Sequence, residues 1–195
     1  MKIIVIILLC AILMGFAVRR EERILFVGDS LTAYNGGWQH QLGRMLQIKY
    51  DNISKGGKRT KWMLSQLKQY SHKTDRYTKV IIYGGINDSF SSVREDDTIE
   101  NIQKMVDIAW KMGAEPIVIV GYNPTMVISE TSYPNDVETK CRNRYISLQK
   151  RIVTDIKGAK IVPMTDTINR TDSGDGIHLW GGGHRKFMNW VLANI

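Results

Sequence analysis

Cysteine is nearly missing from this 195-residue chain, with only Cys10 and Cys141 present. Cys10 lies in an apolar N-terminal run, so the rest of the chain holds one thiol and no internal disulfide framework. Cys141 sits in the polar stretch ETKCRNRY and reads as a structural or incidental thiol rather than a nucleophile. Histidine is almost as scarce. The four histidines are not spaced with other His, Cys or acid ligands as hydrolytic zinc sites require, so no metal is expected. Low-complexity tracts, repeats and long Pro/Gly/Ser linkers are missing too, which leaves an ordinary globular composition. No zinc-finger or RNA-recognition signature accompanies the net charge of +8, so no nucleic-acid partner is expected. The basic excess is scattered apart from one cluster at Lys55 to Lys61. It permits attraction to anionic surfaces without selecting one.

Residues 1–18 differ from everything after them. An uncharged apolar run, IIVIILLCAILMGFAV, extends from Ile3 to Val18 between Lys2 and the charged Arg19-Arg20-Glu21-Glu22-Arg23. A charged start, an apolar stretch and small residues at Gly15 and Ala17 fit a secretory signal with cleavage after Ala17. The run is just short of the roughly 17–25 residues that span a bilayer, so an uncleaved membrane anchor stays open. Leu9 precedes Cys10 where a lipoprotein signal needs a small residue. The expectation is an exported protein (secreted, periplasmic or membrane-anchored), with residues 1–18 as signal or anchor and 19–195 as the folded domain. Residues 3–18 would touch membrane if uncleaved.

From residue 23 onward apolar runs alternate with helical spacing. Strands are expected at Arg23–Val27, Tyr50–Ser54, Lys79–Tyr83, Pro116–Val120 and Lys160–Met164. Helical patterns fall at Trp38–Ile48, Thr60–Ser71, a long segment capped by Asp97, Val137–Ile156 and Gly183–Asn194, with a polar loop at 122–136. This alternation predicts an α/β fold, a three-layer α/β/α sandwich around a five-stranded parallel, flavodoxin-like sheet buried on both faces. The loops leaving the strands then meet at one sheet edge, where open α/β sheets place their sites.

Four segments converge there. Gly28-Asp29-Ser30 ends the first strand; taken alone it is a turn, since all three residues favour turns. Asp175-Gly176-Ile177-His178 brings a carboxylate and an imidazole within one turn, so that Asp175 can orient His178 toward the Ser30 hydroxyl. Asn87, in GGIND, can donate its side-chain amide to a developing oxyanion, while Gly57 and Ser30 can donate backbone N–H groups. Asp29 and Asp88 read as structural groups that bond loop amides. His40, His72 and His184 read as helix or surface residues.

Other nucleophile and phosphate motifs fail. No G-x-S-x-G elbow exists, and SKGGKRT has Asn52 and Arg59 where a phosphate-binding loop needs Gly and Ser/Thr. The ordered set GDSL (Gly28 to Leu31), a glycine after NISK with Asn52 five residues before Gly57, GxND (Gly85 to Asp88) and DxxH (Asp175 to His178) resembles the SGNH, or GDSL, hydrolase family. The tail LWGGGHRKFMNWV, with Gly183-His184, is similar to that family's last helix. Lys58-Arg59 departs from it, standing where small polar residues are more usual. The resemblance implies Ser30 as nucleophile, His178 as base and Asp175 as its partner. It also implies Ser30, Gly57 and Asn87 as the oxyanion hole, and no cofactor.

Two substrate classes follow, an acylated carbohydrate carrying short (acetyl) groups or a lipid cleaved by a lysophospholipase or acyl-thioesterase. Export and loops that are mostly polar and aromatic (Tyr34, Asn35, Trp38, Phe90, Tyr122, Asn123 and Tyr133) favour the carbohydrate. A catalytically silent, membrane-tethered binding protein of the same fold is the non-enzymatic alternative. A transferase using the same triad is the enzymatic one.

Overall fold

The computed structural model describes residues 21–72, 77–124 and 135–195, with side chains from 140 onward in the last segment. The N-terminal segment 1–18 and Tyr133 lie outside the described residues. β1 (Arg23–Gly28), β2 (Lys49–Asn52), β3 (Lys79–Tyr83), β4 (Glu115–Ile119) and β5 (Lys160–Val162) form one parallel sheet in the order β2-β1-β3-β4-β5. Helices flank it: α1 (Ser30–Ala33), α2 (Trp38–Leu46), α3 (Thr60–Tyr70), α4 (Ile86–Phe90), α5 (Glu95–Lys111), α6 (Asn135–Asp155) and α7 (Gly182–Asn194). α2 packs on α7, while α3 packs on α5 and α5 on α6. The expected α/β/α sandwich is the observed architecture.

The apolar runs of β1, β3 and β4 become the buried centre of the sheet because helices cover both of their faces. β2, Lys-Tyr-Asp-Asn, differs from that expectation. It is an edge strand that is nowhere fully buried, and it is tied to β1 by Arg23, whose Nε and Nη2 donate to Asp51 at 3.1 and 2.7 Å. β2 starts one residue earlier than its sequence pattern and ends before Ile53. β5 stops at Val162.

The long helix α5 begins at Glu95, so Asp97 is not its cap. Glu95, Asp96 and Asp97 occupy the first turn, where negative charge complements the helix dipole, and Arg94 donates to Asp97 at 2.6 and 3.0 Å. The buried Cys141 lies on α6.

An aromatic cluster locks α7 beneath the site. Phe187 meets Trp38, Tyr83 and Tyr122 with centroids 5.4, 5.4 and 5.9 Å away, and Trp38 also packs edge-on to Phe26 at 5.6 Å. The Trp38 indole N–H donates to the Leu31 carbonyl at 2.8 Å, so the large ring is buried without an unmet donor. Trp38 and Tyr122 are therefore core residues rather than crevice aromatics. Among the described residues no helix is long and apolar enough to cross a membrane.

Candidate active site

Adjacent strands deliver the first two parts of the site. β1 and β3 run in register with Gly28 opposite Tyr83, and their carboxyl ends lead into α1 and α4. Gly28 is required by close approach, because a Cβ there would lie 2.5 Å from the Tyr83 carbonyl and 2.6 Å from Thr32 Oγ1. Asp29 caps α1 by accepting the Leu31 amide at 3.0 Å, which fixes Ser30 as the first helical residue. Burial pushes the Asp29 carboxyl up to about 7. The Leu31 amide opposes the shift, and the Gly85 amide does so only from longer range, since Oδ2 makes no close hydrogen bond.

The third part comes from an irregular stretch after β5. The 3₁₀ turn Arg170–Asp172 is closed by a capping box between Asn169 and Asp172, and Ser173 bridges to Leu179. Within this frame Asp175 Oδ1 accepts the amides of Ile177 and His178 at 2.9 and 2.7 Å, with Gly176 at φ +80° making the tight turn. The Tyr122 hydroxyl donates to the Ile177 carbonyl and pins the turn to the core.

Ser30, Asp175 and His178 come together in one line. His178 Nδ1 lies 2.5 Å from Asp175 Oδ2, and His178 Nε2 lies 2.9 Å from Ser30 Oγ. An ionised carboxylate only accepts, so Nδ1 carries the proton and Nε2 is left to accept from the serine hydroxyl. Burial alone would raise the Asp175 carboxyl. The His178 ring and the two turn amides outweigh it and hold the carboxyl below its ordinary value.

Gly56 faces Ser30, with a Cβ placed on it 3.8 Å from Ser30 Cβ, so the peptide that carries the Gly57 N–H lies beside the serine. Asn52 holds this loop by donating to the Thr32 carbonyl at 2.8 Å and accepting the Ser54 amide at 3.0 Å. Asn87, at the start of α4, donates one amide hydrogen to the Lys58 carbonyl at 3.1 Å, which leaves its second hydrogen for another acceptor. Asp88 accepts the Thr60 amide and hydroxyl at 2.9 and 2.6 Å, a structural bond of the kind its place in the sequence suggests.

A cleft of about 450 Å³ opens over Ser30 and His178, lined by Leu31, Ala33, Tyr34, Gly56, Leu179, Trp180 and His184 among others. The cleft positions of two of these escaped sequence reasoning. His184 lies on the last helix, as its pattern implies, but it is only 7% exposed and stacks on the Tyr34 ring at 5.3 Å, so it lines the cleft rather than the outer surface. Burial lowers its imidazole below the ordinary value. Trp180, two residues after His178, stands 58% exposed at the rim; adjacency to that histidine was the available signal. Phe90 and Asn123 do not line this cleft. Among the described residues no cluster of three His, Cys, Asp or Glu side chains is placed to hold a metal ion.

Residues 26–186 match the model of the GDSL-like lipase/acylhydrolase family. No curated protein sequence matches the chain. Among solved structures, the fold is similar to a psychrotrophic esterase, EstA, from Pseudoalteromonas sp. at TM-score 0.64 and 17% identity, over 89% of this chain and 96% of that one. It is similar to a GDSL-like lipase from Bacteroides thetaiotaomicron at 0.62 and 18%, over 94% and 93%. An acetylxylan esterase from Geobacillus stearothermophilus aligns at 0.68 and 17%, over 89% and 93%.

Proposed function

Because this chain belongs to the GDSL-like lipase/acylhydrolase family and is an ester hydrolase, we propose that it removes short acyl groups, acetyl first, from a carbohydrate through Ser30, His178 and Asp175. The observation that carries the reading is the continuous hydrogen-bonded line from Asp175 through His178 to Ser30 Oγ.

Ser30 Oγ attacks the ester carbonyl carbon while His178 Nε2 takes the hydroxyl proton, and Asp175 stabilises the imidazolium that forms. The carbonyl oxygen becomes an oxyanion that receives the N–H groups of Ser30 and Gly57 and the free Asn87 amide hydrogen. Collapse breaks the bond to the alcohol, which leaves with the proton from His178, and Ser30 keeps the acyl group as an ester. Water then attacks that ester with His178 again as base, which releases the carboxylic acid and restores the serine.

The modest cleft supports a short acyl group. The exposed rings of Tyr34 and Trp180 at its rim support a sugar on the alcohol side, as aromatic faces stack on apolar sugar faces. Likeness to an acetylxylan esterase supports the same substrate class. The apolar run Ile3–Val18 supports export, and an exported domain would meet secreted or cell-surface polysaccharide.

The test is hydrolysis of p-nitrophenyl esters from acetate to palmitate by the purified protein beside Ser30→Ala. Activity should be highest on the shortest esters and fall by about 10³-fold or more in Ser30→Ala. A maximum at long chains would favour the lipolytic class instead, and equal rates in the two proteins would remove Ser30 from the mechanism.

A further inference from the structure

A second and larger cavity begins where the first one ends. Gly56 lines the cleft over Ser30, while its neighbour Gly57 opens a groove of about 940 Å³ that runs between α3 and α5. The two are joined by the loop whose Lys58 carbonyl holds Asn87. The basic cluster that departs from the family pattern lies here. Lys58, Arg59, Lys61 and Lys68 all line the groove, and among the described residues none of the four pairs with a carboxylate. The exposed acids on the opposite wall are already matched, Asp97 with Arg94 at 2.6 Å and Glu100 with Lys104 at 2.7 Å. The four unpaired cations therefore outnumber the three carboxylates, Asp88, Asp97 and Glu100, that line the same groove.

The sign of this wall runs against the stability of its own helix. α3 starts after Arg59, carries Lys61 in its first turn, and has no acidic residue there, so cations crowd the positive end of the helix dipole. Only the Thr60 amide meets a carboxylate, that of Asp88 on the groove floor. Lys61, Ser65 and Lys68 then share one helix face, with the two lysines about two turns, roughly 10 Å, apart. Charges spread along a groove match a ligand with repeated anionic groups better than a single small anion. Half-buried Trp62, with Lys58 Nζ 5.8 Å from its ring centroid, adds a flat apolar surface within the same wall.

We propose that this groove binds the carboxylate-bearing chain of an acidic polysaccharide, which is the alcohol part of the ester cleaved at Ser30. The proposal rests on the reading of Ser30 as the esterase nucleophile. It deepens that reading by giving the substrate a charge and a direction, from the acylated sugar held beside Tyr34 and Trp180 in the small cleft, past Gly57, and along α3. A recessed channel between two helices suits a chain rather than the flat face of a lipid bilayer.

The test measures binding apart from catalysis. Full-length Ser30→Ala protein would be titrated calorimetrically with tetragalacturonate, with neutral xylotetraose and with phosphatidylglycerol vesicles, at low and high salt. The same titrations would be repeated with Lys61→Glu and Lys68→Glu added, and with the milder Lys61→Gln and Lys68→Gln pair, each checked for folding by circular dichroism.

Tetragalacturonate should bind better than xylotetraose, lose affinity at high salt, and lose about tenfold in the Glu pair and less in the Gln pair. In otherwise wild-type protein, the preference for acetylated polygalacturonate over acetylated xylan should fall about tenfold in kcat/KM. Equal binding of the acidic and neutral sugars, or affinity untouched by either pair, would overturn the proposal. So would vesicle binding that depends on these lysines without tetragalacturonate binding. Intact binding with no esterase activity in the wild type would overturn the Ser30 reading and with it the placing of the chain as the alcohol part.

Discussion

The Tyr122 hydroxyl donates to the main-chain carbonyl of Ile177, the residue immediately before His178. A buried core tyrosine thus holds the turn that carries the imidazole. In Tyr122→Phe the carbonyl loses a buried partner, at about 1–2 kcal/mol in stability, and the imidazole loses its fixed height above Ser30. The kcat on p-nitrophenyl acetate should drop about tenfold with little change in KM. Stopped assays and urea denaturation of the same preparation check both halves.

Asp175→Asn should cost more than its half-exposed position suggests. The amide presents an NH₂ that competes with the ring proton, so the wrong imidazole tautomer faces the serine, and kcat should fall about 10²–10⁴-fold. The two turn amides keep an acceptor in Asn Oδ1, so circular dichroism should stay native. The Asp175 carboxyl is held below its ordinary value, so its contribution to stability is present above that ordinary value and is lost as pH falls through the lower folded-state value. Acid denaturation of Asp175→Asn should accordingly be less steep than that of the wild type.

Asp29 carries the opposite sign. Its carboxyl is raised by burial to about 7, so the folded state binds a proton more tightly than the unfolded chain does. The stability it contributes is full below about pH 4 and is lost as pH rises to about 7. Asn keeps the acceptor for the Leu31 amide without the charge. Asp29→Asn should therefore match the wild type in acid and exceed it above neutrality, by about 4 kcal/mol. Urea midpoints at several pH values would show this divergence.

Gly28→Ala tests the close approach of β1 to β3. A methyl group would meet the Tyr83 carbonyl at 2.5 Å and Thr32 Oγ1 at 2.6 Å, and neither the strand nor the buried α1 threonine can yield cheaply. A destabilisation of about 1–3 kcal/mol is expected, seen as a lower thermal midpoint. Activity should fall at temperatures well below that midpoint, because the strained residue sits two positions before Ser30.

What could be read directly from the residues was what local pattern determines. The runs at Ile24–Val27, Val80–Tyr83 and Ile117–Ile119 are apolar because helices cover both of their faces, and they locate the central strands. Asp175 and His178 are three residues apart, so their pairing is a local fact of one turn. β2 was harder, because an edge strand needs no apolar run and its polar residues serve β1 through Asp51. The aromatics were harder still. Whether Trp38 and Tyr122 are core and Tyr34 is rim depends on where Phe187 and His184 arrive from the far end of the chain. Periodicity within a loop carries no trace of that meeting.

The site is assembled from two unlike sources. Ser30 and Asn87 hang from neighbouring central strands, whose spacing is set by backbone pairing. His178 and Asp175 hang from an irregular stretch whose shape depends on a few side-chain ties, Tyr122 to Ile177, Lys186 to Asp172, and the Trp180 indole to the Thr171 carbonyl. Inheritance can then act on them separately. Substitutions in the last loop can shift the imidazole or reshape the cleft rim while the half that carries Ser30 and Asn87 keeps its geometry. A chain with this layout can change its preferred ester many times before it has to change its fold.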